Sequence, residues 1–402
     1  MTIPKPRVLF FMPYIPYPVD RGTYQRVYHL LLELSGSFEI DLVCLQEDAS
    51  RTMAPFESYT RRRLAIPFVH PPWPKLFPQR LLNPLPTTVT HWQSEWVESA
   101  LAEFIQGEDY DRVLFIDLVL WPYVKKLFPD HPQRIMDRSR VDWLFQTEEY
   151  TTLDCSWKER FLRQENLFKL ARLERAAYAE LCGMIVCGAD DRDFLEAKLG
   201  DAEKVFVLAN GYNEQFFDVA AWPRQPSAVP SLLFCGALDY SPNVDAIDWF
   251  AGHIWPHIHR AMPEVIWRIV GKSPDHRAAA WAGLPGVELV GEVADVRPYY
   301  QSAWLQVVPL RIGGGTRLKI VESLGMCCPV VSTTLGAQGL NLKDNRELLL
   351  ADQAEVFAAQ VIHLLRSPAE SASLARAGLQ AVRENYCWRQ LGVQLNDYML
   401  NL

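Results

Sequence analysis

Between Pro309 and Ser332 the sequence reads PLRIGGGTRLKIVESLGMCCPVVS: a strand end, three glycines, a helix start and a second strand. Glycines let main-chain N–H groups approach a ligand closely, and a helix N-terminus directs its positive dipole end to the same point. Arg317 and Lys319 add two cations in the first turn of that helix, where the dipole disfavours them unless an anion is bound. These types at this spacing describe a phosphate site. Leu318, Ile320, Val321, Leu324 and Gly325 give the helix its buried side, which leaves Glu322, one turn after Lys319 on the same side, to accept hydrogen bonds.

The elements that must hold such a turn are short apolar runs alternating with longer amphipathic ones. Val8 to Met12, Ile40 to Leu45, Val113 to Ile116, Met184 to Cys187 and Val205 to Leu208 read as buried parallel strands. Tyr24 to Leu34, Gln93 to Ile105 and Trp157 to Leu181 read as helices between them. Residues 222–230 hold three prolines without periodicity, as a linker does. Beyond them a second strand set runs through Leu232 to Cys235, Val265 to Val270, Val287 to Val290, Leu305 to Val308 and Pro329 to Ser332. The rhythm predicts two doubly wound α/β domains, 1–221 and 231–386, and a closing segment 387–402. Ligands of such sheets sit outside the carboxyl ends of the strands, so the cleft between two facing domains is the expected site. Glycine turns at Gly22, Gly236 and Gly271 all fall at that edge.

With 402 residues, 49% of them hydrophobic, and a net charge of −8, the chain is long enough for two cores. The mild acidity argues against nucleic acid as the main partner. Eight cysteines without paired spacing read as buried thiols of a reducing, cytoplasmic protein. The apolar start, Val8 to Tyr14, is interrupted by proline and reads as a first strand rather than a leader, and any membrane contact is expected to be peripheral.

The order of Arg21-Gly22-Thr23, Asn210-Gly211, Gly236-Ala237-Leu238, Ile269-Val270-Gly271, Val290-Gly291-Glu292-Val293 and the run from Gly313 to Ser332 resembles the retaining GT-B glycosyltransferases of family four, in their bacterial branch carrying GGGTRLK. The resemblance spans nearly the whole chain and implies a GT-B fold of two facing Rossmann-like domains, with the closing helix returning to the first. It implies transfer of a sugar from a UDP- or GDP-sugar donor to a glycan, lipid-linked or small-molecule acceptor, with no cofactor and no required metal. Carried over, Glu322 would hold the ribose hydroxyls, the amides of Gly315 and Thr316 would face the diphosphate or donor sugar, Gly22 and Gly236 would admit the phosphates, and Gly291 to Val293 would lie beside the base. Three positions depart from the family pattern. Gly314 stands where the first of two glutamates is usual, the Gly236 loop lacks the usual Arg and Lys, for which Arg317 and Lys319 would substitute, and Asp137 is the expected replacement for a first-domain histidine near the sugar.

Such a transfer needs mainly positioning and stabilisation of the leaving diphosphate, whose oxygen can take the acceptor proton. The same architecture would serve a nucleotide-sugar 2-epimerase given added acid and base residues, or a non-catalytic nucleotide-sugar-binding protein, for which the missing glutamate speaks. The interleaved charges of Trp157 to Leu181 read as a solvated, salt-bridged face. His70 to Pro78 reads as a packed irregular loop, and His253, His257 and His259 as structural.

Overall fold

The computed structural model describes residues 4–19, 22–71, 80, 82–152, 156–272, 277–312 and 317–402. The chain forms two compact units, residues 1–208 with 392–402, and residues 209–391.

The first unit is built on a parallel sheet of β1 (Arg7–Met12), β2 (Glu39–Gln46), β3 (Arg62–Pro67), β4 (Arg112–Ile116), β5 (Arg134–Arg138), β6 (Gly183–Val186) and β7 (Val205–Val207), in the order β3-β2-β1-β4-β5-β6-β7. The strands are apolar on both faces because helices cover both, and Val8 through Met12 are wholly buried. From β1 the winding runs outward to β2 on one side and later to β4 on the other, so the carboxyl ends of β1 and β4 diverge at a topological switch point. β3 and β5 escape the apolar pattern because they carry charge. Arg61, just before β3, and Arg62, its first residue, donate to the buried Asp41 carboxylate, while β5 ends on Asp137 and Arg138, buried with ionic partners.

The second unit repeats the plan with β8 (Ser231–Cys235), β9 (Ile266–Val270), β10 (Val287–Gly291), β11 (Leu305–Val308), β12 (Val330–Ser332) and β13 (Leu349–Leu350), in the order β10-β9-β8-β11-β12-β13. The helix Ser241–Trp249 follows β8, and the helix Leu318–Gly325 joins β11 to β12. Residues 222–230 are pinned within this unit rather than loose: Arg224 donates to the Tyr300 carbonyl at 2.7 Å and the Gln225 amide to Gln301 at 3.1 Å. Gly325 leaves room for Tyr212, whose ring would lie 2.7 Å from a Cβ at that position.

The last helix, Trp388–Asn401, begins in the second unit and ends in the first. There Asn396 donates to the Glu33 carbonyl at 3.0 Å, and Tyr398 stacks on Phe206 with centroids 4.2 Å apart.

Candidate functional site

In the second unit the carboxyl ends of three strands are tied together by main-chain bonds. The Gly236 amide donates to Val270 at 3.0 Å, Leu238 to Lys272 at 2.9 Å, and Gly271 to Gly291 at 2.8 Å. The backbones approach so closely that a Cβ at Gly271 would lie 1.8 Å from the Gly236 carbonyl oxygen. Gly271→Ala is therefore expected to push the Gly236 loop aside and cost about 1–3 kcal/mol, measurable by denaturant unfolding. Gly291 ends β10 at φ +81°, a turn that lets the chain leave the sheet toward Val293, which packs partly into the core.

Lys319 reaches this edge from the first turn of the Leu318–Gly325 helix. Its ammonium donates to Asn243 Oδ1 at 2.6 Å, lies 4.6 Å from the Phe234 ring centroid, and would be 3.1 Å from a Cβ on Gly236. Burial pushes its pKa down from 10.5 to about 7, with Arg317 acting the same way and Cys235 and Glu322 opposing. One turn on, Glu322 Oε2 accepts from the Tyr300 hydroxyl at 3.3 Å, and its charge helps burial push the Cys235 thiol up to about 12. Arg317 caps the helix, buried, and donates to the Leu335 carbonyl at 3.4 Å.

The structure thus brings together Gly236, Lys319 and Glu322 among the expected residues, with Gly291 two strands further along the same edge. Asn243 and Tyr300 complete the cluster and were not anticipated; the only sequence signal for Asn243 is its place in the helix start after β8. Gly314, Gly315 and Thr316 lie outside the described residues, as does Arg21. Gly22 is the first residue of the Gly22–Ser35 helix in the other unit.

In the first unit, Asp137, expected near the sugar, is buried in an ion pair. Both carboxylate oxygens accept from Arg26, at 2.6 Å from Nη2 and 3.0 Å from Nε, and both side chains are fully buried. Arg26 also donates to the Leu208 carbonyl at 2.8 Å, so the pair ties β5 to the end of the sheet. Two charges can share an interior only when so matched.

Asp117, directly after β4, is a half-buried acid at this edge. Its backbone holds φ 71° and ψ 156°, a region nearly reserved for glycine and costly for aspartate. The carboxylate accepts from the Leu118 amide at 2.6 Å and stands 3.8 Å from Arg138 Nη2. Burial and the Asp142 charge raise its pKa from 3.8 to about 6, against the pull of Arg138 and Arg140. Tyr14, just past β1, is also pushed up, by burial and then by Asp117 and Asp137, which places it at the same switch point. A strained, partly exposed acid with a raised pKa at a strand end is a candidate proton acceptor or sugar ligand. The sequence does mark it, as a single acid closing the run Val113-Leu114-Phe115-Ile116.

Residues 229–367, wholly within the second unit, match the family model described as "Glycosyl transferases group 1". A curated relative from Klebsiella pneumoniae, an uncharacterized 44.6 kDa protein in the cps region, is 21% identical over 164 residues, 39% of this chain and 42% of that protein. The match therefore spans less than half the length of that relative. Among solved structures, sucrose-phosphate synthase from Thermosynechococcus elongatus superposes with a TM-score of 0.74 at 16% identity, covering 98% of each chain. Anabaena HepE in complex with UDP-glucose gives 0.68 at 12% identity, over 98% of this chain and 100% of that one. At such identities the likeness shows the fold: two Rossmann-like domains on parallel sheets, as in GT-B glycosyltransferases.

Proposed function

We propose that this chain is a retaining, metal-independent glycosyltransferase that moves a sugar from a UDP- or GDP-sugar to a glycan, lipid-linked or small-molecule acceptor. The observation that carries the reading is Lys319. It holds an ammonium of depressed pKa beneath the Gly236 loop, where three strand ends and a helix start converge. A diphosphate there would accept from Lys319 and from main-chain amides, while Glu322 lies one helical turn away for the ribose hydroxyls. The match of residues 229–367 to group 1 glycosyl transferases and the UDP-glucose complex of the HepE relative support the same assignment.

On this reading the protein's chemical work is electrostatic. Charge grows on the leaving diphosphate toward the transition state, and Lys319 with Arg317 would stabilise that growth where a divalent cation could otherwise do so. The departing phosphate oxygen takes the acceptor proton on the face it leaves, which retains configuration. Within the first unit, Asp117 is the half-buried carboxylate best suited to meet a sugar or an acceptor.

Glu322→Ala is expected to weaken donor binding by about 1.5–3 kcal/mol, the range for hydrogen bonds to charged groups, with folding intact. Calorimetric titration with UDP and GDP measures this, and wild-type affinity for both would remove the ribose role. The reaction itself is tested by following donor consumption with acceptor present and EDTA added. Transfer with the donor's anomeric configuration kept is the expected result, and donor epimerised without acceptor would favour the 2-epimerase instead.

A further inference from the structure

The long helix Trp157–Glu180 exposes large apolar side chains in a pattern that its charge pairing makes intelligible. Trp157 is 76% exposed, Phe161 50% and Phe168 71%. At 100° per residue, positions 157, 161, 164 and 168 fall on one stripe, roughly 16 Å long at 1.5 Å rise per residue. The opposite side, including Asn166, Leu170, Glu174 and Ala177, is buried in the unit. Leu82, 83% exposed, borders the same helix, since Arg80 before it bonds Glu165 and Pro84 after it accepts from Arg172 at 2.8 Å. Exposed single apolar residues are ordinary, but aromatic ones aligned along a helix are a surface for contact.

Among the described residues, the charges beside the stripe are one-sided. Each acid of the helix is already occupied: Glu159 in a capping box with Ser156, Glu165 by Arg80 and Lys169, Glu174 by Arg138, and Glu180 by Lys125. Lys158, Arg160, Arg172 and Arg175 remain exposed along or beside the stripe. Arg175 continues the stripe three residues past Arg172, its guanidinium 4.8 Å from the Trp143 ring centroid. The sequence pattern suggested a solvated, salt-bridged face; among the described residues the acids are indeed paired, and Lys158, Arg160, Arg172 and Arg175 stay exposed beside exposed aromatics.

We propose that the first unit docks on an anionic lipid bilayer through this face, with Trp157, Phe161, Phe168 and Leu82 entering the headgroup boundary and Lys158, Arg160, Arg172 and Arg175 meeting lipid phosphates. Aromatic rings favour that boundary, and basic side chains with apolar stems can lie in it while keeping their charge at phosphate depth. An anionic surface matches the charge imbalance, whereas a second copy of the same basic face would repel it. Docking is independent of the sugar chemistry and would bring the chain to lipid-linked acceptors.

Co-sedimentation of the full chain with phosphatidylcholine vesicles containing about one-third phosphatidylglycerol tests this. Wild type should partition at least tenfold more strongly than onto pure phosphatidylcholine, and raised salt should release it. Replacing Trp157, Phe161 and Phe168 together by Ser should lower partition at least tenfold while circular dichroism and melting temperature stay unchanged. The charge reversal Lys158→Glu with Arg160→Glu should do the same by weakening the electrostatic part. Absence of wild-type binding, or undiminished binding by the triple-serine variant, would overturn the proposal. So would a wild-type dimer in sedimentation velocity that the triple-serine variant splits, since the stripe would then be a protein interface.

Discussion

Nucleoside-diphosphate affinity is expected to fall as the pH rises from about 7 to 9, by up to about tenfold per pH unit, and the slope is expected to vanish in Lys319→Arg. The cause is the depressed pKa of Lys319, about 7 in the free protein. A bound diphosphate favours the charged form and raises that pKa, so binding above pH 7 must take up a proton, at a cost that grows with pH. The terminal phosphate ionises near pH 6, below this window, and its own titration works in the opposite direction. In the unliganded protein the unfolded chain binds more protons than the native one between about 7 and 10.5, so Lys319 makes stability rise with pH across that range. Lys319→Ala should lose about 10²–10³ in single-turnover rate, the scale for removing a preorganised charge partner of a developing anion. Calorimetry at several pH values, in buffers of differing ionisation enthalpy, reads the proton uptake directly. A pH-independent wild-type affinity would place the diphosphate away from Lys319.

Asp117→Asn is expected to slow turnover about 10²–10⁴-fold while making the protein more stable at neutral pH. The two effects have one origin. The carboxylate is desolvated by burial and stands near the Asp142 charge, so its ionised form is disfavoured and its pKa stands near 6. Because the folded value exceeds the unfolded one, the native state binds more protons between about 4 and 6, and stability is lost as pH rises through that window. Asparagine keeps the bond to the Leu118 amide and accepts the same backbone region, yet carries no charge, which should return on the order of 1–2 kcal/mol at pH 7. Denaturant unfolding at about pH 4 and pH 7 should show the wild-type slope and its absence in the variant. A variant with lower stability and full activity would make Asp117 a structural residue.

The strand rhythm of both units was readable because buried parallel strands need uninterrupted apolar runs, as at Val8 to Met12 and Leu305 to Val308. β3 and β5 were hidden because a strand can carry arginine or aspartate inward when a partner elsewhere neutralises it. Neither the pairing of Arg61 and Arg62 with Asp41 nor that of Asp137 with Arg26 is visible from spacing. Lys319 and Glu322 were legible as a helix-start pair following a glycine turn. Asn243 and Tyr300 were not, since they meet that pair only through the sheet order that sets β8 beside β11. Asp137 and Asp117 show the same limit at the other sheet: both are acids at strand ends, and only burial and the Arg26 contact separate the interior brace from the half-buried carboxylate.

The most direct measurement is release of nucleoside diphosphate from a panel of UDP- and GDP-sugars under single-turnover conditions, comparing wild type with Lys319→Ala. The account predicts that at least one donor is consumed by wild type and that the variant, folded and of wild-type melting temperature or above, consumes it at least about 100-fold more slowly. Equal rates for the two proteins, or no donor bound or consumed by wild type, would contradict it.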